Sequence, residues 1–239
     1  MPSLSDLKVK IFADGANKES MLKLYANPLI KGFTTNPSLL RAGGVANYQD
    51  FAHEIVAAIP DRTILFEVIA DEFDEMKKQA KIIAGWGKNV YVKIPVTNTR
   101  GETSASLVRE LSQSGMHVTV TAITTLDQVR DMAAALQGGA PAILAVFAGR
   151  VADTGRNPLP MMYAAREIIN LYPNVELLWS STRETINIFQ ADETGCDIIT
   201  VAHNLLGKLS WVGKDLHDLS LDTVKMFLQD TNSAGYTLP

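Results

Sequence analysis

Short apolar runs alternate along the chain with longer amphipathic stretches. The runs show the period-two pattern of strands, and the stretches carry apolar residues at the three-and-four spacing of helices. Strands are expected over Val9–Asp14, Ile30–Thr34, Thr63–Val68, Asn89–Ile94, His117–Ala122, Ala142–Phe147, Val175–Ser180 and Asp197–Val201. Helices are expected over Asn17–Tyr25, Tyr48–Ala58, Asp71–Gly85, Glu102–Ser114, Thr125–Leu136, Leu159–Leu171, Arg183–Ala191, Leu205–Leu209 and Ser220–Gln229. About eight strand–helix units in one domain's length predict an α/β fold, a (β/α)8 TIM barrel. The expected organisation is a single barrel domain over residues 1–239, with 215–239 as an additional C-terminal helix and tail. A doubly wound open sheet is the alternative. No Gly-x-Gly-x-x-Gly follows the first strand, where Asp14-Gly15-Ala16-Asn17 stands, and no Walker-type loop occurs. No linker, low-complexity tract or charge block divides the chain.

The stretch Val90-Tyr91-Val92-Lys93-Ile94-Pro95 changes this picture from architecture to chemistry. In a strand Val90, Val92 and Ile94 share one face, and Tyr91 and Lys93 share the other. Parallel sheets are covered on both faces, which puts Lys93 inside the protein. An ammonium is costly to bury, and an interior lysine is biased toward the neutral amine, a nucleophile toward carbonyls. The plain structural reading is a strand-end lysine that reaches solvent or pairs with a carboxylate.

A barrel places its site at the C-terminal ends of the strands. There the sequence sets Asp14, then Asn36 after the second strand, Glu67, Lys93, Thr119 and Thr121 with His117, Arg150, and Ser181 with Arg183. Each alone has a plain account: Asp14 as a helix cap, Asn36 as a turn former before Pro37, Glu67 as the counter-ion of Lys93, Thr119 as barrel filling, the arginines as surface charge. Together they match what a Schiff-base aldol reaction requires. The set holds an amine, two carboxylates for proton transfer, a hydroxyl to hold water, an amide for a substrate hydroxyl, and arginines for phosphate.

Phe12-Ala13-Asp14-Gly15-Ala16-Asn17, Gly32-Phe33-Thr34-Thr35-Asn36-Pro37-Ser38-Leu39, Val92-Lys93-Ile94-Pro95 and Phe147-Ala148-Gly149-Arg150 resemble the transaldolase family. The likeness runs in order to Ser181-Thr182-Arg183 and Gly195-Cys196-Asp197-Ile198-Ile199-Thr200-Val201. The compact length resembles the short subfamily that also contains fructose-6-phosphate aldolases. The resemblance implies Lys93 as the Schiff-base residue, Asp14 as general acid/base, and Glu67 with Thr119 as the pair that positions a catalytic water. It implies Thr34, Asn36 and Phe147 on the substrate, with Asn36 on the dihydroxyacetone part, and Arg150, Ser181 and Arg183 on the phosphate. It further implies a homo-oligomer, commonly a decamer, with the C-terminal helix packed on a neighbouring subunit. The implied activity is transfer of a dihydroxyacetone unit between sugar phosphates, as in the pentose phosphate pathway. The related lyases carry Gln in place of Glu67 and Tyr in place of Phe147, so transfer is expected over cleavage. The chain departs from the pattern at Gly15, where Thr is usual, at His117, where Asn is usual, and at Ala145, where the larger members carry Ser. The loop Thr97–Gly101 is longer than in the short aldolases, and its Arg100 reads as loop decoration.

Composition narrows the alternatives. A net charge of −4 argues against nucleic-acid or anionic-membrane partners. One cysteine, Cys196, precludes an intrachain disulfide, and the four histidines lack ligand spacing, so no metal or other cofactor is expected. Cys196, Trp86, Trp179 and Trp211 read as packing. Met1 to Asp6 lacks a secretory signal pattern and no apolar run spans a bilayer, which makes the cytoplasm the default location.

Overall fold

In the computed structural model, which describes residues 3–238, eight parallel strands close into a barrel. They are β1 (Lys10–Asp14), β2 (Ile30–Thr34), β3 (Thr63–Glu67), β4 (Val90–Pro95), β5 (Val118–Ile123), β6 (Ala142–Val146), β7 (Val175–Trp179) and β8 (Ile198–Ala202). Each strand pairs with the next, and β1 pairs with β8 to close the ring. The helices are α1 (Lys18–Tyr25), α2 (Pro37–Ala42), α3 (Tyr48–Ala58), α4 (Phe73–Ala84), α5 (Ala105–Gln113), α6 (Leu126–Leu136), α7 (Ala148–Asp153), α8 (Leu159–Ile169), α9 (Ile186–Glu193), α10 (His203–Leu206) and α11 (Leu216–Ala234), of which the longer ones before α11 cover the outside of the barrel. A 3-10 turn, Gly207–Trp211, precedes α11. Three short helices, α2, α7 and α10, follow strand ends where no helix was expected or where a longer one was.

Strand alternation divides the side chains into two cores. Val90, Val92 and Ile94 face outward and join the large core between strands and helices. Inside the barrel, Phe12, Leu65, Ile143, Leu178 and Ile198 form a smaller apolar plug, with Tyr91 against it. Gly32 is required here because a β-carbon would stand 2.6 Å from the Phe12 ring. Beyond the plug the inward positions turn polar: Asp14, Thr34, Glu67, Lys93, Thr119 and Thr200. The same alternation that fills the barrel therefore sets a polar layer on an apolar floor.

The loop after β4 is braced at its surface. Thr97 bridges to Thr103, and Arg100 bonds Glu72 and Glu102 with Asp71 nearby, so α5 starts at Ala105 instead of Glu102. Trp179 is fully buried and Trp86 sits among Tyr48, Phe66 and His53, whereas Trp211 is 56 % exposed and does not serve packing. Burial pushes the Cys196 thiol up to about 12, which leaves it inert. No helix among the described residues is long and apolar enough to cross a membrane.

Candidate active site

Three neighbouring strand ends set three polar side chains in one row. The register puts Glu67 opposite Lys93, and Lys93 opposite Thr119. Lys93 is only 6 % exposed. Its Nζ lies 3.0 Å from Glu67 Oε2 and donates to the Thr35 carbonyl at 2.8 Å. A buried amine needs such partners, since an unpaired one would be expelled or neutralised. Thr119 Oγ1 is buried and has no hydrogen-bonding partner among the described residues.

Asp14 stands on the other side of the row. Thr34, its register partner on β2, donates to Asp14 Oδ1 at 2.7 Å and touches the hydroxyl of Thr200. Burial pushes the Asp14 carboxyl above the usual carboxylate range; the Thr34 bond and the charge of Lys93 oppose that rise without cancelling it. The capping account of Asp14 fails, because Asn17 caps α1 by accepting from the Ser20 amide. Asn36 does cap α2, through its side-chain oxygen on the Leu39 amide at 2.9 Å, and its side chain also lines the pocket.

The rim is cationic. Arg150, on α7, lies with its guanidinium carbon 5.2 Å from the Phe147 ring centre. Arg183 is held by Asp153, with Nε 2.9 Å from Oδ1 and Nη2 2.5 Å from Oδ2. Ser181 adopts a left-handed backbone, φ 67°, which turns its carbonyl against Gly149. Any side chain at position 149 would overlap that carbonyl.

These groups enclose a cavity of about 230 Å³. Asp14, Thr34, Asn36, Lys93, Phe147, Arg150, Ser181 and Arg183 line it. Glu67 does not; it adjoins the cavity through Lys93 and fronts two shallower clefts beside it. Thr119 is absent from the wall too, lying one strand over from Lys93. His117 precedes β5 and stacks on Tyr91 at 4.7 Å, at the far end of the strands, and so stands apart from the pocket. Ala145 lines it, while Arg100 stays in its surface ion cluster. Ser180, Thr182 and Thr200 also line the cavity, and the sequence reading did not single them out. Alternation along Ile198-Ile199-Thr200 was the available signal for Thr200. Among the described residues, no group of three or more His, Cys, Asp or Glu side chains could hold a metal ion.

Such a site can present an amine to a carbonyl, move protons through a carboxyl group, and bind an anion at its mouth. The family model described as transaldolase/fructose-6-phosphate aldolase matches residues 11–238. A probable transaldolase of Dehalococcoides mccartyi is 29 % identical over 94 % of this chain and 99 % of its own. One of Caldicellulosiruptor saccharolyticus is 32 % identical over 93 % of this chain and 96 % of its own. Among solved structures, a HpcH/HpaI aldolase/citrate lyase family protein from Burkholderia cenocepacia superposes with a TM-score of 0.57 at 15 % identity, covering 94 % of this chain and 95 % of that one. At that identity it speaks for the barrel fold alone.

Proposed function

This chain belongs to the transaldolase/fructose-6-phosphate aldolase family, and from that premise we propose that it is a transaldolase working through a Schiff base on Lys93. It moves a dihydroxyacetone unit from a ketose phosphate, sedoheptulose 7-phosphate or fructose 6-phosphate, to an aldose phosphate. The observation that carries this reading is the buried Lys93 amine, on a cavity shared with Asp14 and rimmed by Arg150 and Arg183.

The Lys93 amine, having passed a proton to Glu67, adds to the donor's C2 carbonyl; that proton then returns to the carbinolamine hydroxyl, which departs as water and leaves an iminium. The C3–C4 bond then breaks, its electron pair flowing into the iminium to give an enamine, while Asp14 takes the C4 hydroxyl proton. An acid whose proton affinity is raised by burial suits that step, because it must hold the proton until the acceptor arrives. The enamine then attacks the acceptor aldehyde, and Asp14 returns the proton to the new hydroxyl. Glu67 and Thr119 flank Lys93 and direct the water that forms and hydrolyses the iminium. Arg150, Ser181 and Arg183 bind the phosphate, the arginines as planar, permanently charged donors. Phe147 has no hydroxyl with which to help protonate the enamine, and this favours transfer over release.

Borohydride trapping with fructose 6-phosphate tests the mechanism. The expected result is a reduced three-carbon adduct on Lys93, located by peptide mass mapping, with turnover that depends on erythrose 4-phosphate. Lys93→Met should abolish trapping and turnover, and retained turnover would sink the mechanism. An adduct with acceptor-independent release of dihydroxyacetone would make the protein a fructose-6-phosphate aldolase instead.

A further inference from the structure

One ionisable group behind Asp14 has no part in the reaction as written. Gly15, the residue after Asp14, is buried under the imidazole of His203. A β-carbon at position 15 would stand 2.6 Å from His203 Nε2 and 2.7 Å from Cε1, so the ring occupies the space where a side chain at 15 would begin. The register explains the encounter. Asp14 pairs with Ala202 across β1 and β8, which makes 15 and 203 the next facing positions. His203 Nε2 is buried and has no hydrogen-bonding partner among the described residues.

The surroundings leave one charge to act on that ring. α10 packs on β1, β8 and the 3-10 turn. β8 carries no ionisable side chain, and the turn carries Lys208, which is exposed. β1 carries Lys10, paired with Glu176 at the opposite strand end, and Asp14. Asp14 is in turn under the influence of Lys93 and Glu67.

We propose that His203 is a positioning residue for Asp14, its imidazole taking the place of the missing side chain at 15 and serving as Asp14's titrating neighbour. Burial lowers the proton affinity of His203 and raises that of Asp14, and each opposes the shift of the other. Each therefore titrates in the field of the other. A protonated His203 keeps Asp14 a carboxylate to lower pH. The consequence for turnover rests on the Schiff-base reading; the coupling itself does not.

The first readout is therefore independent of activity. The chain has four histidines, so the His203 resonance in protein labelled with 13C-histidine is identified by its loss in His203→Gln. Its titration midpoint should lie below the ordinary value of about 6.5, and Asp14→Asn should lower it further by roughly half a pH unit or more. An unchanged midpoint in Asp14→Asn overturns the proposal. In kinetics, His203→Gln should move the acidic limb of kcat/KM to higher pH while KM at the optimum stays within about twofold. A profile superimposable on that of the parent enzyme, in a variant with unaltered circular dichroism and melting, reduces His203 to packing. Gly15→Thr should slow turnover by driving a side chain into the ring, and adding His203→Ala should restore it by about tenfold; simple additivity overturns the matched pair. Should Gly15→Thr not fold, the titration decides alone. Should no sugar phosphate turn over at all, the Schiff-base reading falls while the titration still decides the coupling.

Discussion

Asp14 illustrates how a single carboxyl group can be costly to the fold and useful to the chemistry. Its surroundings hold its proton affinity above the ordinary range, chiefly through burial. The folded chain therefore binds that proton more readily than the unfolded chain. Stability is highest where both states are protonated, and it falls as pH rises from the ordinary carboxylate value through the raised one. Above the raised value the deficit is fully developed. Asp14→Asn keeps an oxygen to accept from Thr34 and removes the charge. We expect its melting temperature at pH 7 to exceed that of the parent protein, with the gap closing as pH falls to about 4. Turnover in the same variant should drop by roughly 10²–10⁴-fold, the usual worth of a general acid–base. Thermal denaturation across pH, read beside a coupled transfer assay, checks both. A melting temperature below the parent's at pH 7 would mean that Asp14's contacts with Thr34 and Lys93 outweigh its burial.

At the scale of elements, the rim depends on how α7 meets the turn after β7. Gly149 lies under the Ser181 carbonyl with no space for a β-carbon, and Ser181 holds a left-handed backbone to make that contact. Gly149→Ala should push α7 away and carry Arg150 with it, raising KM for a phosphorylated donor by on the order of 10²-fold. Trapping of unphosphorylated dihydroxyacetone on Lys93 should persist, and its loss would show that the damage is not confined to the rim. The strands were legible in the sequence because alternation is local, and the inward position of Lys93 followed from it directly. α7 and α2 were not, since each has six residues and too few turns to show a helical period. Alternation puts Thr200 on the inward face of β8 with Ile198, but nothing local marks it as part of the site. A lone threonine in an apolar run reads as packing, and only the pairing of β8 with β1 brings it to Thr34. The contact of Gly15 with His203 depends on barrel closure in the same way. What closes across the ring from the two ends of the chain has no signature in any local window.

For the whole molecule, α11 poses a problem that the barrel does not solve. Asp215 caps its start by accepting from the His217 and Asp218 amides, and Gly235, in the left-handed region at φ 68°, ends it. Between these signals run 19 residues, none of them buried. The expected helix, Ser220–Gln229, was shorter because apolar spacing marks only the middle and the capping residues set the ends. Leu216, Leu221, Val224, Phe227 and Leu228 are each more than half exposed. Caps and propensity supply only part of a helix's stability in a protein; packing of an apolar face normally supplies the rest. Leu221, Val224 and Leu228 recur at helical spacing on one face, and an exposed apolar face of this kind marks a protein contact. We propose that a second copy of the chain covers it, in line with the ring assemblies that the sequence resemblance implies. Light scattering coupled to size exclusion should then give a multiple of the 26.0 kDa chain mass. Val224→Asp combined with Phe227→Asp should shift that mass downward and lower the melting temperature, since two charges would replace the buried centre of the contact. Lys93 and Asp14 lie on the barrel and not on α11, so trapping on Lys93 should survive in the dissociated protein. A parent protein that is monomeric at micromolar concentration would leave α11 without this partner and overturn the proposal.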